Sequence, residues 1–263
     1  MSDYMRYTTD IEQLLEEVKA SLDMSVKDIP IYRHPLYVGF GLPDDLPPMG
    51  PYKNMGLRGV LTAKVAAFNK AVDEKDWERC LWITERPFRV NFLYELLDTH
   101  EHVNDADKAM LIKEAWTDSE SPHVNNDVWR DWFRWLHQYL LDNPRSGGAR
   151  RLVYSAGEWE AREKLIADKA SPQDVDGTII VYRGTCSNEG TAPGDERGLS
   201  WTLDREKAVW FATRFAKLGK RGIPLVLTGE VRVSRTIGPW LGRGENEMIL
   251  PYGCTVMKSE RVE

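Results

Sequence analysis

Cysteine is scarce in this 263-residue chain, and the three present, Cys80, Cys186 and Cys254, lie far apart with no Cys-x-x-Cys pair. That argues against a disulfide framework and a structural zinc site, and it suits reduced thiols. The five histidines, at positions 34, 100, 102, 123 and 137, form no ligand set. His100-Glu101-His102 lacks a third ligand at a recognised spacing and reads as a polar loop, so no metal is expected. Nothing approaches the run of about eighteen apolar residues that a membrane span needs, so no membrane partner is expected. The opening residues alternate acidic and apolar groups without a basic start, so no secretory signal is expected and a cytoplasmic location is. Internal repeats and low-complexity tracts are absent.

What is present is a composition of 42% hydrophobic and 29% charged residues, ordinary for a folded globular protein, together with ten tryptophans. The length suits one large or two small domains, and two are preferred: a mainly helical N-terminal domain over 1–145 and a second domain over 150–263. Charge divides unevenly between the two halves. From Gly177 onward, 13 Lys and Arg stand against 10 Asp and Glu, a balance of +3, which leaves −9 of the net −6 on the preceding residues. A mildly cationic C-terminal part suits a pyrophosphate or nucleic-acid partner; a solvated surface with no such meaning explains it equally well.

Thr9-Asp10-Ile11-Glu12 reads as a capping box, followed by Ile11, Leu14, Leu15, Val18 and Leu22 at helical spacing. Residues 41–56 are too rich in Pro and Gly for a helix or central strand and read as a connector. From Leu57 to Leu141 the pattern is helical: Leu61, Val65, Phe68 and Val72 share a face, as do Val128, Trp132, Trp135, Leu136 and Tyr139. In the run from Trp129 to Trp135, aromatics alternate with arginine. A buried face is the preferred reading there, with Trp129 and Phe133 on its flank as the residues to test for stacking on bases or a partner groove. A turn-rich stretch over 142–148 and a helix from about Gly157 to Lys169 follow. The texture then becomes strand-like at 178–182, 225–227, 230–233 and 247–250, with one helix between, capped by Asp204 and presenting Ala208, Phe211, Ala212 and Phe215 on one face. Fold class α+β is expected.

Three short segments stand in one order in this last part: Val181-Tyr182-Arg183-Gly184, Leu199-Ser200-Trp201-Thr202, and Gly244-Glu245-Asn246-Glu247 entering an apolar strand. Together they resemble the Arg-Ser-Glu signature of the mono-ADP-ribosyltransferases, in the form with a Glu-x-Glu motif. The resemblance covers about residues 155–255, and the middle motif departs from the commoner Ser-Thr-Ser in carrying Trp201. It implies a split β-sandwich flanked by helices, with NAD as cosubstrate and no metal. Glu247 would stabilise the cationic ribose from which nicotinamide departs, and Glu245 would orient or deprotonate the acceptor, on the same side if the segment is extended. Arg183 would hold NAD phosphate and ribose, and Gly184 would let its main chain approach the nicotinamide carboxamide. Ser200 would position the catalytic glutamate and Thr202 would support the strand. Lys217, Lys220 and Arg221, with Arg221 as the NAD contact, fall where the family often places phosphate and nicotinamide ligands. Residues 234–244, with Trp240 as an exposed aromatic, take the place of the acceptor-recognition loop.

The implied acceptor is macromolecular, protein arginine first and nucleic acid second, in a bacterial or phage toxin or defence effector with an antitoxin or regulatory partner. Two other readings stay open: an NAD glycohydrolase using water at the same site, and a non-enzymatic interaction protein on a degenerate transferase scaffold. Each segment also has a plainer reading, Arg183 as a strand-end surface charge, Glu-x-Glu as a solvated turn, and Lys217, Lys220 and Arg221 as cations complementing a helix C-terminus.

Overall fold

A computed structural model describes residues 5–26, 29–40, 56–99, 103–118, 126–143, 147–169, 177–187, 198–219 and 222–262. The protein mixes helix and sheet and divides into two compact units, Met1–Ser121 and Pro122–Glu263. Most of the Pro- and Gly-rich connector, His100, His102 and His123 lie outside the described residues.

In the first unit, helix α1 (Ile11–Ala20) leads into an antiparallel sheet of β1 (Leu22–Val26), β2 (Ile29–His34) and β3 (Tyr37–Gly39). Helices α2 (Leu57–Glu74), α3 (Trp77–Ile83), α4 (Arg89–Thr99) and α5 (Asp105–Asp118) follow. The small sheet is absent from the expected helical pattern. The cap of α1 is Asp10, one residue later than the capping-box reading places it: its carboxylate accepts from the amides of Glu12 at 3.0 Å and Gln13 at 3.3 Å. Leu14, Leu15 and Val18 face a core with Leu36, Leu57, Leu61 and Val65, whereas Leu22 has left the helix for β1 and is exposed.

The second unit begins with α6 (Asn126–Asp142), α7 (Gly147–Val153) and α8 (Ala156–Lys169). The Trp-rich helix therefore belongs with the C-terminal unit. Its buried face is Trp129, Phe133 and Leu136, each at 0% exposure, while Trp132, Trp135 and Tyr139 are half-buried. Leu136 is buried as expected, but Trp129 and Phe133, expected on the flank, take the buried positions expected for Trp132 and Trp135. The reason is a local partner: the Phe133 ring lies 6.0 Å from that of Trp240, itself 2% exposed, so Trp240 is core and not an exposed aromatic.

Six strands then build one antiparallel sheet: β4 (Thr178–Ser187), β5 (Ser200–Thr202), β6 (Ile223–Arg232), β7 (Ile237–Trp240), β8 (Glu247–Ile249) and β9 (Thr255–Arg261), in the order β7-β8-β5-β4-β6-β9. Each strand is hydrogen-bonded to its neighbours in this order, with irregularities between Thr228 and Gly229 and between Ile237 and Trp240, and the two segments expected at 225–227 and 230–233 are one strand, β6, except for Val233, which begins a 3-10 turn. Ile179, Val181, Trp201, Leu227, Val231, Met248 and Leu250 form a core on one face. On the other face lies α9 (Arg205–Gly219), which presses Ala208 and Ala212 onto Val226 and Tyr182. Asp204 caps α9, accepting from Glu206 N at 2.8 Å and Lys207 N at 3.3 Å, as expected. No helix among the described residues is long and apolar enough to cross a membrane.

Candidate functional site

The strand order brings the three C-terminal segments side by side, because β5 lies between β4 and β8. Tyr182 opposes Thr202, Thr202 opposes Glu247 and Ser200 opposes Ile249. Residues opposed across an antiparallel ladder share a face, and so do alternate residues along a strand. Ser200, Thr202 and Glu247 therefore project together on the face that carries α9, with Trp201 and Met248 on the opposite, apolar face. That disposition explains how Trp201 is accommodated: it is core, 2% exposed, and its indole donates to Gly198 O at 2.8 Å.

At the centre, Ser200 Oγ donates to Glu247 Oε1 at 2.5 Å across 47 residues of sequence. A short bond from a hydroxyl to a carboxylate oxygen fixes the orientation of the glutamate on a strand that is itself held on both sides. Thr202 Oγ1 donates to Glu245 O at 2.6 Å and accepts from Asp204 N at 3.1 Å, tying the approach to Glu247 to the start of α9. The Glu-x-Glu segment is not extended. Gly242–Gly244 form a 3-10 turn, Glu245 is helical at φ −91° and ψ −16°, and Asn246 sits at φ +47° before the strand begins at Glu247. Strand alternation therefore does not relate Glu245 to Glu247; a turn does, and Asn246 takes the left-handed conformation that asparagine tolerates well.

Arg183 opposes Leu227 of the apolar core and so projects from the face of β4 opposite to that of Tyr182. Its Nη1 donates to Ser200 O at 2.6 Å, so its tie to the site runs through the main chain of β5. The guanidinium packs so closely on Gly198 that a Cβ there would meet Arg183 Cζ at 2.0 Å. Burial pushes the neighbouring Cys254 thiol up to about 11, with the Arg183 charge pulling the other way. Cys80, raised to about 12, and Cys186, also raised, are likewise held as thiols by burial, so none of the three is a ready nucleophile. Gly184 faces α9 and lets that helix approach the sheet: a Cβ would lie 2.0 Å from Ala208 O and 2.6 Å from Ala212 N. Lys217 is exposed on α9, while Lys220, Arg221 and the side chain of Phe215 lie outside the described residues.

Sequence reasoning missed the residues that hold the segment preceding Glu245. Arg162 of α8 donates to Gly238 O at 2.5 Å, Thr236 O at 2.8 Å, Val233 O at 3.3 Å and Thr236 Oγ1 at 3.4 Å. One turn earlier, buried Glu158 accepts from Leu241 N at 3.0 Å, and Tyr154 Oη accepts from Gly238 N at 3.1 Å. The Glu158 and Arg162 spacing on a helix was the available signal, but nothing local shows what such a pair would grip. Among the described residues no cluster of three metal-ligating side chains occurs.

His137 completes this clamp. Its Nε2 lies 2.6 Å from Ser234 O, and a carbonyl only accepts, so Nε2 carries the proton and Nδ1 accepts from Tyr252 Oη at 3.3 Å. Burial lowers the His137 pKa from 6.5, Arg162 and Arg235 push the same way, and the bond to Ser234 opposes them. The unfolded chain takes up a proton near 6.5 that the folded ring resists, so this group's contribution is full above that pH and is lost as pH falls below it. Thermal unfolding of the wild type is therefore expected to weaken more steeply below about pH 6.5 than that of His137→Gln, and parallel curves would refute this role.

No family model matches the chain, and neither a curated protein nor a solved structure is similar to it.

Proposed function

We propose that the protein is a mono-ADP-ribosyltransferase of the Arg-Ser-Glu class that transfers ADP-ribose from NAD to a macromolecular acceptor, on a transferase-type fold. The observation that carries this is the Ser200 to Glu247 hydrogen bond, formed by the residues the resemblance pairs, on adjacent strands. NAD supplies a glycosidic bond whose cleavage leaves positive charge on the ribose. A carboxylate held rigidly beside that position stabilises the charge without reorganising, which is the most effective kind of electrostatic catalysis. Glu247 takes this role and Ser200 sets its orientation.

Glu245 leads into the strand from a turn pinned by Thr202, and it receives or orients the acceptor nucleophile. Arg183, which the resemblance makes an NAD ligand, instead fixes the β5 main chain at Ser200 and so braces the strand beside Glu247. Gly184 offers its main chain to the nicotinamide carboxamide, and Arg221 is a further NAD contact. The helices α6 and α8, through His137, Glu158 and Arg162, hold the acceptor-side segment. A toxin or defence effector, controlled by an antitoxin or a regulatory partner, is the setting this activity suits.

Transfer is separated from hydrolysis by incubating the protein with NAD labelled in the adenylate, together with cell lysate. Free nicotinamide, label on protein and label on nucleic acid are followed separately. Glu245→Gln is expected to lose label at least tenfold while retaining nicotinamide release, since only the acceptor step uses that carboxylate. Release without label by the wild type would instead make the protein a glycohydrolase.

A further inference from the structure

Helix α9 buries one side and leaves the other in solvent, and the exposed side is not an ordinary charged face. Ala208 and Ala212 are fully buried against the sheet. On the outer side, Lys207, Trp210, Arg214 and Lys217 follow the i, i+3, i+7, i+10 spacing that lines residues along one ridge. From Lys207 to Lys217 the ridge is about 15 Å long.

Trp210 is 47% exposed, and its ring is steadied rather than loose. The Phe211 ring meets it edge-on with centroids 5.0 Å apart, the Arg214 guanidinium lies 4.9 Å from its centroid and the Lys207 ammonium 5.8 Å. Among the described residues none of Lys207, Arg214 and Lys217 has a carboxylate partner, whereas Arg205 at the helix start is taken by Glu260 at 2.8 Å. An aromatic plane set among cations that have no carboxylate partner among the described residues is what a polynucleotide needs: phosphates for the cations and a base for the ring.

We propose that the outer ridge of α9 is a docking surface for single-stranded nucleic acid, with Lys207, Arg214 and Lys217 on phosphates and Trp210 stacked on a base. An acidic protein would use the same cations but gains little from a half-exposed indole among them. The ridge starts beside the candidate site, since α9 follows directly from Thr202 and Asp204, and Thr202 holds the Glu245 carbonyl. On the transferase reading this makes nucleic acid the acceptor class in preference to protein arginine. The binding itself does not depend on that reading.

Binding is therefore measured without NAD, by fluorescence anisotropy of a labelled mixed-sequence single-stranded oligonucleotide, as DNA and as RNA, with polyglutamate as competitor. Association is expected to weaken with salt at a log–log slope of about −2, from three phosphates at about 0.7 each. Trp210→Ala should weaken binding about tenfold with the slope unchanged, Trp210→Phe should recover much of it, and Lys207→Gln with Lys217→Gln should reduce the slope by about 1.4. Failure to bind at low salt overturns the proposal, as does indifference to Trp210→Ala. Competition by polyglutamate as effective as by unlabelled oligonucleotide would assign the ridge to an acidic protein instead. Binding without NAD turnover would leave the docking surface standing and remove only the transferase reading.

Discussion

Replacing Glu247 with glutamine is expected to lower NAD turnover by about three orders of magnitude while leaving the fold intact. The substitution keeps the side-chain volume and the oxygen that accepts from Ser200 Oγ at 2.5 Å, so the β5 to β8 ladder has no cause to move. It removes only the negative charge, which matters most where positive charge develops on the ribose. Ser200→Ala makes the complementary test: it retains the carboxylate and releases its orientation, so a smaller loss is expected, about tenfold to a hundredfold. Both are read from initial rates of nicotinamide release, with thermal unfolding as the check on folding. Equal rates for wild type and Glu247→Gln would remove Glu247 from the chemistry.

Gly184→Ala is expected to destabilise the second unit by about 3 kcal/mol or more, lowering its unfolding midpoint by about 10 °C. The new methyl would lie 2.0 Å from Ala208 O and 2.6 Å from Ala212 N, both main-chain atoms of α9 that cannot rotate aside. Helix α9 would have to lift from the sheet, and with it would go the packing of Ala208 and Ala212 on Val226. Because Asp204 N also bonds Thr202 Oγ1, the movement would reach Glu245 and lower turnover as well. Gly157→Ala is the control: a Cβ there meets nothing within 4 Å, and the change should be neutral or stabilising by about 0.5 kcal/mol. If the two variants unfold alike, the close approach of α9 at Gly184 is not a structural requirement.

Some of this was legible in the sequence for definite reasons. The β-branched run at Thr178–Tyr182, the Asp204 cap and the alternation around Trp201 are local signals, and local signals decide which residues enter a strand or begin a helix. The Trp-rich helix shows where such signals stop. Val128, Trp132 and Trp135 repeat at the same spacing as Trp129, Phe133 and Leu136, so periodicity offers two equally apolar faces and only the contact with Trp240 selects one. Strand β7 reads as a loop because its four residues include Gly238 and Pro239.

The candidate site divides in the same way. Residue types and their order could nominate Arg183, Ser200, Thr202, Glu245 and Glu247, but the pairing of β5 between β4 and β8 is a long-range choice that no window contains. That pairing sets Ser200 and Glu247 in hydrogen-bonding contact and sends Arg183 to the opposite face. Glu245 was expected in extended chain; the turn through Gly244 and Asn246 at positive φ replaces alternation with a bend. The clamp of His137, Glu158 and Arg162 was hidden because its partners are main-chain carbonyls and amides, which carry no mark in a sequence.

NAD turnover is tested by incubating the purified protein with NAD alone and in the presence of single-stranded nucleic acid or lysate, with free nicotinamide quantified over time. Wild-type protein is expected to release nicotinamide, an acceptor to accelerate the release, and NAD to raise the unfolding midpoint of Glu247→Gln by binding without being consumed. A folded wild-type protein that leaves NAD intact under all these conditions, and a midpoint that NAD does not move, would contradict the transferase reading.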